Sequence, residues 1–547
     1  MPTYTHPVYE HRRPAPAPGR TARRDVVIVG AGPIGLVAAI DFAQRGPAAL
    51  VLDEDRTVSV GSRAICYAKR TLEILDRLGC GEPVTAKGVR WNVGKVFFRD
   101  ALAYRFDLLP EPGHRRPAFV NLQQYHFEEC LVARANALGA EICWQNKVTG
   151  VDPRDDGVRV TVATPDGDYA IDADWLLVAD GARSTVRRLL GLESEGQVFR
   201  DRFLIVDIHM TSAFPAERWF WFDPPFHPGQ SVLLHRQADD LWRVDFQLGW
   251  DADPEVEKQP ENIEPRLRAM LGGDATFQIE WASVYTFQCR RMKRFRHGRV
   301  LFCGDAALLV SPFGARGANS GVQDADNLVW KLDLVLRGLA PERLLDTYDD
   351  ERGFAADENI LNSTRATDFI TPKSAISRTF RDAVLELARD HAFARRLVNS
   401  GRLSVPTVLR DSSLNTPDRT GDFAADGGAM VPGAAAADAP VAGSRGGWLL
   451  DYLTGEFTLL TFGDAVSPEA AARLAGAPIA CRVVQVGGRA ATDRIRIDDD
   501  GGLLTTRYEG RAGTGYLLRP DQHVCARWRQ VDVVAVEAAM ARATCNG

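Results

Sequence analysis

The 547-residue chain contains 45% hydrophobic and 25% charged residues, the composition of an ordinary globular protein with two or three domains. Its formal net charge of −6 argues against a protein that binds nucleic acid through phosphate contacts. No apolar run has membrane-spanning length and no apolar signal-peptide core opens the chain, so we expect a cytoplasmic protein without a membrane partner. Nine cysteines occur without a CxxC pair or metal-ligand spacing, and we therefore expect reduced thiols and no metal site.

The first predicted elements surround a glycine-rich turn. Residues 1–24 are rich in Pro and Arg and are predicted to form a disordered arm. The run DVVIV then predicts a buried parallel strand, and LVAAIDFAQR predicts a helix. In the turn GAGPIG between them, Gly30 suits a tight bend, Gly32 lets the backbone approach a pyrophosphate, and Gly35 lets the helix pack on the strand.

A second strand, AALVLDED, ends in Asp53, about 20 residues after the first glycine, where an acid binds a ribose hydroxyl. The alternative is a glycine-rich turn that binds no ligand. Further along, residues 63–79 predict a helix after a basic loop, and residues 121–142 predict a helix followed by a strand. An antiparallel ribbon then leads into the buried strand WLLVAD and the pair Asp180-Gly181.

From about residue 200 to 285 the hydrophobic period is two, which predicts a separate β-sheet layer rich in tryptophan. Its alternating strands carry polar and aromatic side chains that could line a mostly apolar pocket. Alternation does not show which face points inward, and ordinary sheet packing is the commoner role for each of them. These candidates are His209, Trp219, Trp221, His235, Arg236, Arg243 and Gln247.

The α/β pattern resumes with the strand in GRVLFCGD, which delivers Gly304-Asp305 to its carboxyl end. A carboxylate there suits a polyol hydroxyl, with helix capping as the alternative role of Asp305. The Pro-Gly loop from Pro312 leads into a predicted helix that begins near Asn319. If a flavin ring stacked there, the dipole of this helix would stabilise the negative charge that the ring carries when it is reduced. Together the three motifs describe a pocket for FAD.

The last part of the chain changes composition. Residues 341–400 are predicted to be mainly helical, and the Ala-, Gly- and Pro-rich residues 421–443 are predicted to be a linker. Residues 444–547 suggest a small α/β domain that ends in LRPDQHVCARW and a short tail.

The chain resembles the single-component FAD-dependent aromatic hydroxylases over roughly residues 25–370. The matching segments are GAGPIG, Asp53, Arg63-Ala64, QYHFEECL, ADGARSTVRRLLG, GDAALLVSP and NSGVQDADNLVWKL. The C-terminal segment is similar to the thioredoxin-like domain of longer members, such as 3-(3-hydroxyphenyl)propionate hydroxylase and phenol 2-monooxygenase, although it lacks CxxC. The resemblance implies an α/β fold with a Rossmann-like FAD-binding domain of the glutathione-reductase type (residues 25–200 and 286–400) that is interleaved with a β-sheet substrate domain (residues 201–285).

The resemblance also assigns roles to individual residues. It implies that the glycine turn binds the pyrophosphate, that Asp53 binds the ribose, and that Arg63 and Gln124 hold the pyrophosphate and ribityl region. It also implies that Asp180-Gly181, with Arg183 nearby, takes part in binding both FAD and NAD(P)H. The predicted cofactor-binding residues are Gly30, Gly32, Pro33, Ile34, Gly35, Asp53, Glu54, Arg63, Gln124, Asp180, Gly181, Gly304, Asp305, Pro312, Gly317, Ala318 and Asn319.

Two positions depart from the family pattern. Glu54 stands where members often have arginine, and Ala315-Arg316-Gly317 replaces the commoner Gly-Gln-Gly over the flavin. Arg316 either anchors an anionic substrate or steadies reduced flavin, or it is an outward, solvated side chain. His209 and His235 are candidates for deprotonating a phenol, and Pro312 would border flavin and substrate. The basic run RRMKRFRHGR suggests a solvated turn, with a coenzyme phosphate contact as the alternative.

The implied function is hydroxylation of a phenolic aromatic, such as a phenolic acid, with FAD, NADPH or NADH, and O₂, through a flavin C4a-hydroperoxide. A homodimer is expected from the family. A flavin-dependent oxidase, reductase or halogenase remains an alternative in the same fold, although the segment RWFWF lacks the Ile-Pro ending of a halogenase WxWxIP motif. A non-catalytic flavin-binding protein is the alternative from another class.

Overall fold

A computed structural model describes residues 4–14, 23–61, 63–398, 403–419, 421–423, 428, 430–489 and 494–547. Within these ranges no helix is both long enough and apolar enough to cross a membrane. The described strands form two large interleaved sheets of eight strands each, a third sheet of six strands in the last part of the chain, and a small sheet of three strands.

The first third of the chain begins both large sheets. Its elements are β1 (Arg23–Val29), α1 (Pro33–Arg45), β2 (Ala49–Leu52), β3 (Cys66–Ala68), α2 (Lys69–Leu78), α3 (Gly81–Lys87), β4 (Val89–Trp91), β5 (Val93–Phe98), β6 (Ala101–Asp107), β7 (Phe119–Asn121), α4 (Gln124–Ala137), β8 (Glu141–Cys143), β9 (Lys147–Arg154), β10 (Gly157–Ala163), β11 (Tyr169–Val178) and α5 (Thr185–Leu189).

The middle of the chain completes both sheets and adds long helices. Its elements are β12 (Ser194–His209), β13 (Arg218–Phe222), β14 (Ser231–Arg236), β15 (Leu241–Leu248), α6 (Pro254–Glu257), α7 (Pro260–Leu271), β16 (Gln278–Met292), β17 (Arg296–His297), β18 (Val300–Phe302), β19 (Leu308–Leu309), α8 (Gly317–Leu336), α9 (Asp346–Ile370), α10 (Ala375–Ala388) and α11 (Ala392–Leu397).

The last part forms the C-terminal domain. Its elements are β20 (Ala442–Gly443), β21 (Phe457–Phe462), α12 (Pro468–Ala475), β22 (Cys481–Val486), β23 (Ile495–Asp498), α13 (Leu503–Arg507), β24 (Gly515–Leu518), β25 (Val524–Trp528) and α14 (Val533–Ala543).

The first sheet has the order β17-β18-β11-β1-β2-β8, and β18, β11, β1, β2 and β8 run parallel. Strands β9 and β10 continue from β11 as an antiparallel ribbon. The central residues of β1 are fully buried, as a strand covered on both faces requires. This sheet confirms the predicted α/β fold and brings the carboxyl ends of β1, β11 and β18 to one edge.

The second sheet has the order β19-β16-β12-β15-β14-β13-β5-β6. Strands β12 to β16 confirm the predicted β-layer, although β12 and β16 extend beyond its expected limits at 201 and 285. The hairpin β5–β6 also belongs here, because β5 pairs in parallel with β13. The sequence placed this hairpin in the cofactor domain, since a strand's own residues do not show which strand it pairs with.

The third sheet has the order β20-β23-β22-β21-β24-β25. Strands β21, β22 and β23 are parallel, with α12 between β21 and β22, and β24 and β25 pair antiparallel beyond β21. The domain packs on α8, where the buried Trp330 ring lies 5.9 Å from that of Phe457. Its thioredoxin-like classification stays a prediction.

Two segments predicted to lack structure are packed. Residues 4–14 lie extended along α4 and the end of β8, where Tyr4 stacks on Tyr125 and Tyr9 stacks on Trp144. The aromatic rings that anchor this arm outweigh its Pro- and Arg-rich composition, so the predicted disorder is wrong for these residues. Residues 1–3 and 15–22 lie outside the described residues.

The predicted linker is also largely part of a domain. Residues 430–443 pack into the core of the C-terminal domain. There Gly433 N–H donates to the Val524 carbonyl at 2.7 Å, and Ala436 N–H donates to that of Gln522 at 2.8 Å. Small side chains let this backbone approach the sheet, which explains why an Ala- and Gly-rich composition was misleading. The residues at 424–427 and 429 are not among those described.

Candidate active site

The glycine turn after β1 tolerates no side chain at two of its three glycines. Gly30 has φ of +104°, and a Cβ there would lie 2.5 Å from the Ala179 carbonyl oxygen. A Cβ on Gly35 would lie 1.9 Å from the carbonyl oxygen of Gly30, so α1 packs directly on the turn. A Cβ on Gly32 would meet nothing within 4 Å. The open side of the turn therefore lies beside Gly32, at the N-terminus of α1, where a phosphate binds.

Asp53 lies under this turn. Its carboxylate accepts hydrogen bonds from the N–H groups of Ala31 and, at 2.8 Å, Asp55. Burial raises the pKa of Asp53 to about 7. Glu54, predicted beside it, is half exposed and forms an ion pair with Lys147 at 2.7 Å. The structure thus brings Asp53 to the turn, while Glu54 is held by a surface ion pair.

Asp180 and Gly181 follow β11, the strand next to β1. Asp180 Oδ2 accepts a hydrogen bond from Val186 N–H at 3.1 Å. Its buried Oδ1 has no hydrogen-bond partner within the described ranges, and burial raises the pKa of Asp180. Gly181 has φ of +77° and open space around it. An unsatisfied acceptor next to the glycine turn is what a bound cofactor would complete.

The third motif contacts the first. Gly304 has φ of +59°, and a Cβ there would lie 2.9 Å from Cγ1 of Ile34. The Asp305 carboxylate accepts no hydrogen bond from any described residue. Burial raises the pKa of Asp305 to about 6, and the charge of Arg63 opposes the shift. This carboxylate is therefore available to a ligand hydroxyl.

Gln124 supports the loop that carries Arg63. Its Oε1 accepts a hydrogen bond from Ala64 N–H at 3.0 Å, and its Nε2 donates to Glu128 at 2.8 Å. Glu128 in turn accepts from Ser59 N–H at 2.6 Å. In the structure Gln124 thus holds the loop through its side chain, which is an indirect way to position Arg63.

Residues 312–316 form a loop that leads into α8, and we call it the flavin loop. Pro312 is exposed, whereas Arg316 is buried and its Nε lies 2.5 Å from where a Cβ on Gly314 would be. The solvated alternative for Arg316 is therefore wrong. The first N–H groups of α8, from Gly317 and Ala318, begin a 20-residue helix and have no acceptor within it.

Asn319 is committed to structural hydrogen bonds. Its Oδ1 accepts from Ala68 N–H at 2.8 Å and from Thr71 Oγ1 at 2.6 Å, and its Nδ2 donates to the carbonyls of Cys66 and Ala315. The side chain therefore fixes the start of α8 against β3 and α2.

The second sheet turns one face towards these motifs. The Phe203 ring lies 4.9 Å from that of Phe313, and a Cβ on Gly61 would lie 2.7 Å from the Trp281 ring. Residues at every second position of β12 to β16 share this face. The opposite face is apolar and is covered by Ile263 and Leu267 of α7.

This division sorts the candidates that alternation left open. Trp219 and Trp221 belong to the apolar cluster under α7, so they are not pocket residues. His209 ends β12, six residues or about 20 Å beyond Phe203, and pairs with Glu280 at 3.5 Å. The structure therefore separates His209 from the flavin loop.

A row of polar residues crosses the inner face where β13, β14, β15 and β12 lie side by side. Arg243 donates to both carboxylate oxygens of Asp207, at 2.9 and 3.1 Å. His235 lies opposite Arg243 and is buried, and burial together with the charges of Arg218 and Arg243 holds the pKa of His235 well below its usual value. This imidazole is therefore neutral. Gln247 accepts from Ser231 N–H at 3.0 Å.

Arg218 is a residue of this row that the sequence did not single out. It is 4% exposed, and its Nη2 donates to the Phe313 carbonyl in the flavin loop at 3.3 Å. No carboxylate in the described part of the chain lies within ion-pair distance of it. Burial lowers the pKa of Arg218 without neutralising a group that is always protonated. Its signal was a charged residue that opens an otherwise aromatic strand, RWFWF.

Asp245 was missed as well. It lies two residues beyond Arg243 on the same face, and burial raises its pKa to about 7. Its buried Oδ1 has no hydrogen-bond partner among the described residues. Its signal was a polar residue at every second position of LWRVDFQL, a strand whose other positions are apolar.

The basic run at 290–299 is bound to acids on and near α9. Arg291 pairs with Asp357, Arg294 with Asp349, and Arg299 with Glu342. These pairs favour the structural interpretation of the run over a coenzyme phosphate contact.

These residues together fit a flavin dinucleotide. The open turn beside Gly32 suits a pyrophosphate, and Asp53 suits a ribose. Asp305 and the first turn of α8 suit the ribityl chain and the ring. The inner face of the second sheet covers the ring region and carries Arg218 and Asp245. Among the described residues Arg218 has no ion pair and Asp245 Oδ1 has no hydrogen-bond partner, although each group acts on the charge of the other from further away.

Comparison with known proteins agrees with this geometry. Residues 23–363 match the family described as FAD binding domain. The chain is 33% identical over 383 residues to 12-dehydrotetracycline 5-monooxygenase/anhydrotetracycline 6-monooxygenase of Streptomyces rimosus subsp. rimosus, covering 67% of this chain and 73% of the relative. It is 30% identical over 372 residues to 3-(3-hydroxy-phenyl)propionate/3-hydroxycinnamic acid hydroxylase of Mycolicibacterium smegmatis, covering 66% and 64% of the two chains.

Solved structures show the same fold along almost the whole chain. The anhydrotetracycline hydroxylase OxyS of Streptomyces rimosus superposes with a TM-score of 0.71 at 27% identity and covers 95% of this chain and 99% of its own. The flavin-dependent monooxygenase PieE, solved with FAD and substrate, superposes with a TM-score of 0.81 at 23% identity over 97% and 100% of the chains. The chain therefore belongs to the FAD-binding domain family of flavin-dependent aromatic monooxygenases.

Proposed function

We propose that this monooxygenase hydroxylates a phenolic aromatic that carries an anionic group, with NADPH or NADH as reductant. The names of the relatives support an aromatic of this class, because they include a hydroxylase of 3-(3-hydroxy-phenyl)propionate and 3-hydroxycinnamic acid and a monooxygenase of 12-dehydrotetracycline and anhydrotetracycline. The observation that carries the proposal is Arg218, a buried guanidinium with no carboxylate within ion-pair distance among the described residues, although the charge of Asp245 acts on it from further away. A buried charge is costly unless it is paired, and a substrate anion would pair it.

The neighbouring arginine is the internal comparison. Arg243 lies on the same face and is already neutralised by Asp207 through two hydrogen bonds. Arg218 differs in that its one hydrogen bond within the described residues goes to a carbonyl oxygen. A carboxylate or phenolate placed against Arg218 would therefore bind a guanidinium that has no ion pair of its own among the described residues, close to the loop at residues 312–316.

His235 acts with Arg218 as a hydrogen-bond donor. Trp91 Nε1 donates to Asn121 Oδ1 at 2.7 Å, which directs Asn121 Nδ2 towards His235 Nδ1 at 3.4 Å. Nδ1 is then the acceptor and the proton of the neutral ring is on Nε2. We infer that His235 donates to a substrate oxygen, rather than removing the phenol proton as the sequence suggested.

The protein's part in the reaction is positioning, charge stabilisation and exclusion of water. Bound FAD, reduced by NAD(P)H, would supply the activation of O₂ and the transfer of one oxygen atom to the ring. Arg218 and His235 would stabilise negative charge on the substrate, and where that charge is a phenolate the ring is more reactive towards an electrophile. The aromatic inner face around Phe203 and Phe313 would keep the reacting region dry.

The test is Arg218→Met, with Arg236→Met on the adjacent strand as control, because Arg236 pairs with Asp240 near the surface. With a panel of phenolic acids and matching neutral phenols, the wild type should show faster NAD(P)H oxidation and a product with one added oxygen for an anionic member. Arg218→Met should raise KM for that substrate at least about tenfold, equivalent to about 1.4 kcal/mol, with bound flavin unchanged.

Wild-type KM in Arg218→Met would contradict the assignment of Arg218 but leave the hydroxylase function intact. Consumption of NAD(P)H that yields only peroxide across the panel would favour the oxidase or reductase alternative. A protein that takes up FAD but never oxidises NAD(P)H would favour the non-catalytic alternative.

We also propose that the enzyme acts as a homodimer in the cytoplasm, as expected for the family. The nine cysteines, all in the described part of the chain, are free thiols, which supports a reducing compartment. Light scattering of the purified protein at micromolar concentration tests the dimer.

A further inference from the structure

The motif LRPDQHVCARW of the C-terminal domain is not exposed and does not belong to the site described above. Its residues 519–523 form the turn between β24 and β25, and Arg519, Asp521 and Gln522 are each 1% exposed. This turn, which we call the RPDQH turn, contacts helices outside its own domain. These helices belong to the part of the chain before residue 400 that contains the glycine turn and α8, which we call the flavin domain.

The RPDQH turn contacts three helices of the flavin domain. Arg519 donates to both carboxylate oxygens of Glu351 on α9, at 2.5 and 3.2 Å. Asp521 Oδ2 accepts from Asn327 Nδ2 on α8 at 3.2 Å. Gln522 Oε1 accepts from Arg70 Nη1 on α2 at 2.8 Å.

The contacts continue inside the flavin domain. Lys331 on α8 donates to Glu351 at 2.8 Å and to Asn327 Oδ1 at 2.9 Å. Asp326, the residue before Asn327, accepts from Arg70 at 3.2 Å and from Arg77 at 2.8 Å.

Arg77 also donates to Asp41 on α1 at 2.8 Å. A continuous buried network therefore connects the RPDQH turn to α1, whose N-terminus borders the glycine turn after β1. The same network connects it to α8, whose N-terminus borders the flavin loop.

Such a network fixes position more strictly than apolar packing does. Each buried charge must keep its partners, so a small shift of one helix leaves a charge unpaired at high cost. Although burial alone would raise it, the charges of Arg519 and Lys331 hold the pKa of Glu351 well below its usual range. Glu351 is therefore ionised and needs both partners.

We propose that the RPDQH turn positions the flavin site through α8, with Arg519 and Asp521 as positioning residues. Asn327 and Lys331 lie about three and four turns from the start of α8, so holding them sets where the first N–H groups of α8 meet the flavin. This inference depends on the FAD site of the chain, not on the proposed substrate.

The experiment compares Asp521→Asn with Asp418→Asn. Asp418 forms an ion pair with Arg527 of the same motif, at 2.6 Å, but its partner points back into the C-terminal domain. In Asp521→Asn the FAD dissociation constant, measured by flavin fluorescence, should rise at least about tenfold. Hydrogen exchange in the first turns of α8 should be faster in the same variant.

The control should lower the thermal midpoint without changing FAD affinity or exchange in α8. Arg519→Lys keeps the charge and should show a smaller change in the same direction, and it decides the result if Asp521→Asn does not fold. FAD affinity and α8 exchange equal to the wild type in both motif variants would overturn the proposal. Loss of hydroxylation alone, with normal FAD affinity, would instead concern the proposed function.

Discussion

Asp305 combines a raised pKa with a carboxylate that no described residue satisfies. Because burial raises its pKa to about 6 and that of Asp53 to about 7, both groups take up protons well above the ordinary range of aspartate. A protonated carboxyl accepts fewer hydrogen bonds from ribityl or ribose hydroxyls than an ionised one.

FAD affinity of the apoprotein should therefore fall as the pH decreases from 8 to 5 and recover when the pH is raised. Titration of flavin fluorescence against protein at each pH measures this. In Asp305→Asn the part of the change near pH 6 should disappear, while the part near pH 7 that belongs to Asp53 should remain. A wild-type affinity that is constant over this range would contradict the expected coupling between protonation of these carboxylates and FAD binding.

At the scale of residues, the sequence predicted the groups whose positions follow from local motifs. The glycines, Asp53, Asp180 and Asp305 all sit at strand ends, and each is placed by the strand before it. Arg218 and Asp245 could not be found this way, because whether their side chains line the pocket depends on which face of the second sheet turns inward. That choice follows from α7 covering the other face, a contact between residues distant in sequence.

The turn between β1 and α1 offers a matched pair of substitutions at the scale of one element. In Gly35→Ala the new Cβ would lie 1.9 Å from the Gly30 carbonyl oxygen, so the helix must separate from the turn. We expect a loss of several kcal/mol of folding free energy, within the range of strained or overpacked sites, and no FAD binding. Thermal unfolding of the apoprotein measures the stability.

In Gly32→Ala the new Cβ has open space in the absence of ligand. The apoprotein should therefore unfold at nearly the wild-type temperature, while FAD binds at least about tenfold more weakly because the methyl group occupies the pyrophosphate approach. Equal stability of the two variants would contradict the packing described for α1.

Elements with a strong local pattern were predicted well. The strand and helix around GAGPIG and the long helix α8 follow from apolar periodicity, as do the strands of the second sheet. The hairpin β5–β6 shows where this ends. The alternating burial of VGKVFF makes it a strand, but its parallel pairing with β13 joins residues more than 100 positions apart, and no local pattern encodes that partner.

At the scale of the whole molecule, the C-terminal domain and the flavin domain share a buried boundary. Trp330 on α8 and Phe457 on β21 lie in one apolar cluster, beside the ion network of the RPDQH turn. Two domains joined by that much buried structure should unfold together. Calorimetry of the wild type should therefore show a single transition.

Phe457→Ala should lower the free energy of unfolding by about 3–5 kcal/mol. It should also split the single transition into two, because the cavity left by the side chain lies at the boundary between the domains. Phe462→Ala, on the same strand but in the core of the C-terminal domain itself, should lower the transition without splitting it. Two separate transitions in the wild type would contradict a shared folding unit.

Composition was the weakest guide at this scale. The Pro- and Arg-rich arm was predicted to be disordered and the Ala- and Gly-rich segment to be a linker. Residues 4–14 instead pack on the domain that follows them, and residues 430–443 pack into the core of the C-terminal domain. In both segments a few contacts decide the outcome, aromatic stacking in one and close backbone approach in the other, and average composition does not show them.

Most of the second sheet is built from two separate stretches of chain, residues 93–107 and 194–292, and the short strand β19 adds residues 308–309 at one edge. A crossover between relatives that falls between these stretches, at residues 108–193, separates them, and Arg218 on β13 would then pair with a β5 strand from another parent. A chimaera that takes its substrate pocket from another member of the family must therefore carry both stretches together. A cassette limited to residues 194–292 leaves the hairpin β5–β6 behind, whereas one that spans residues 93–309 carries the whole sheet.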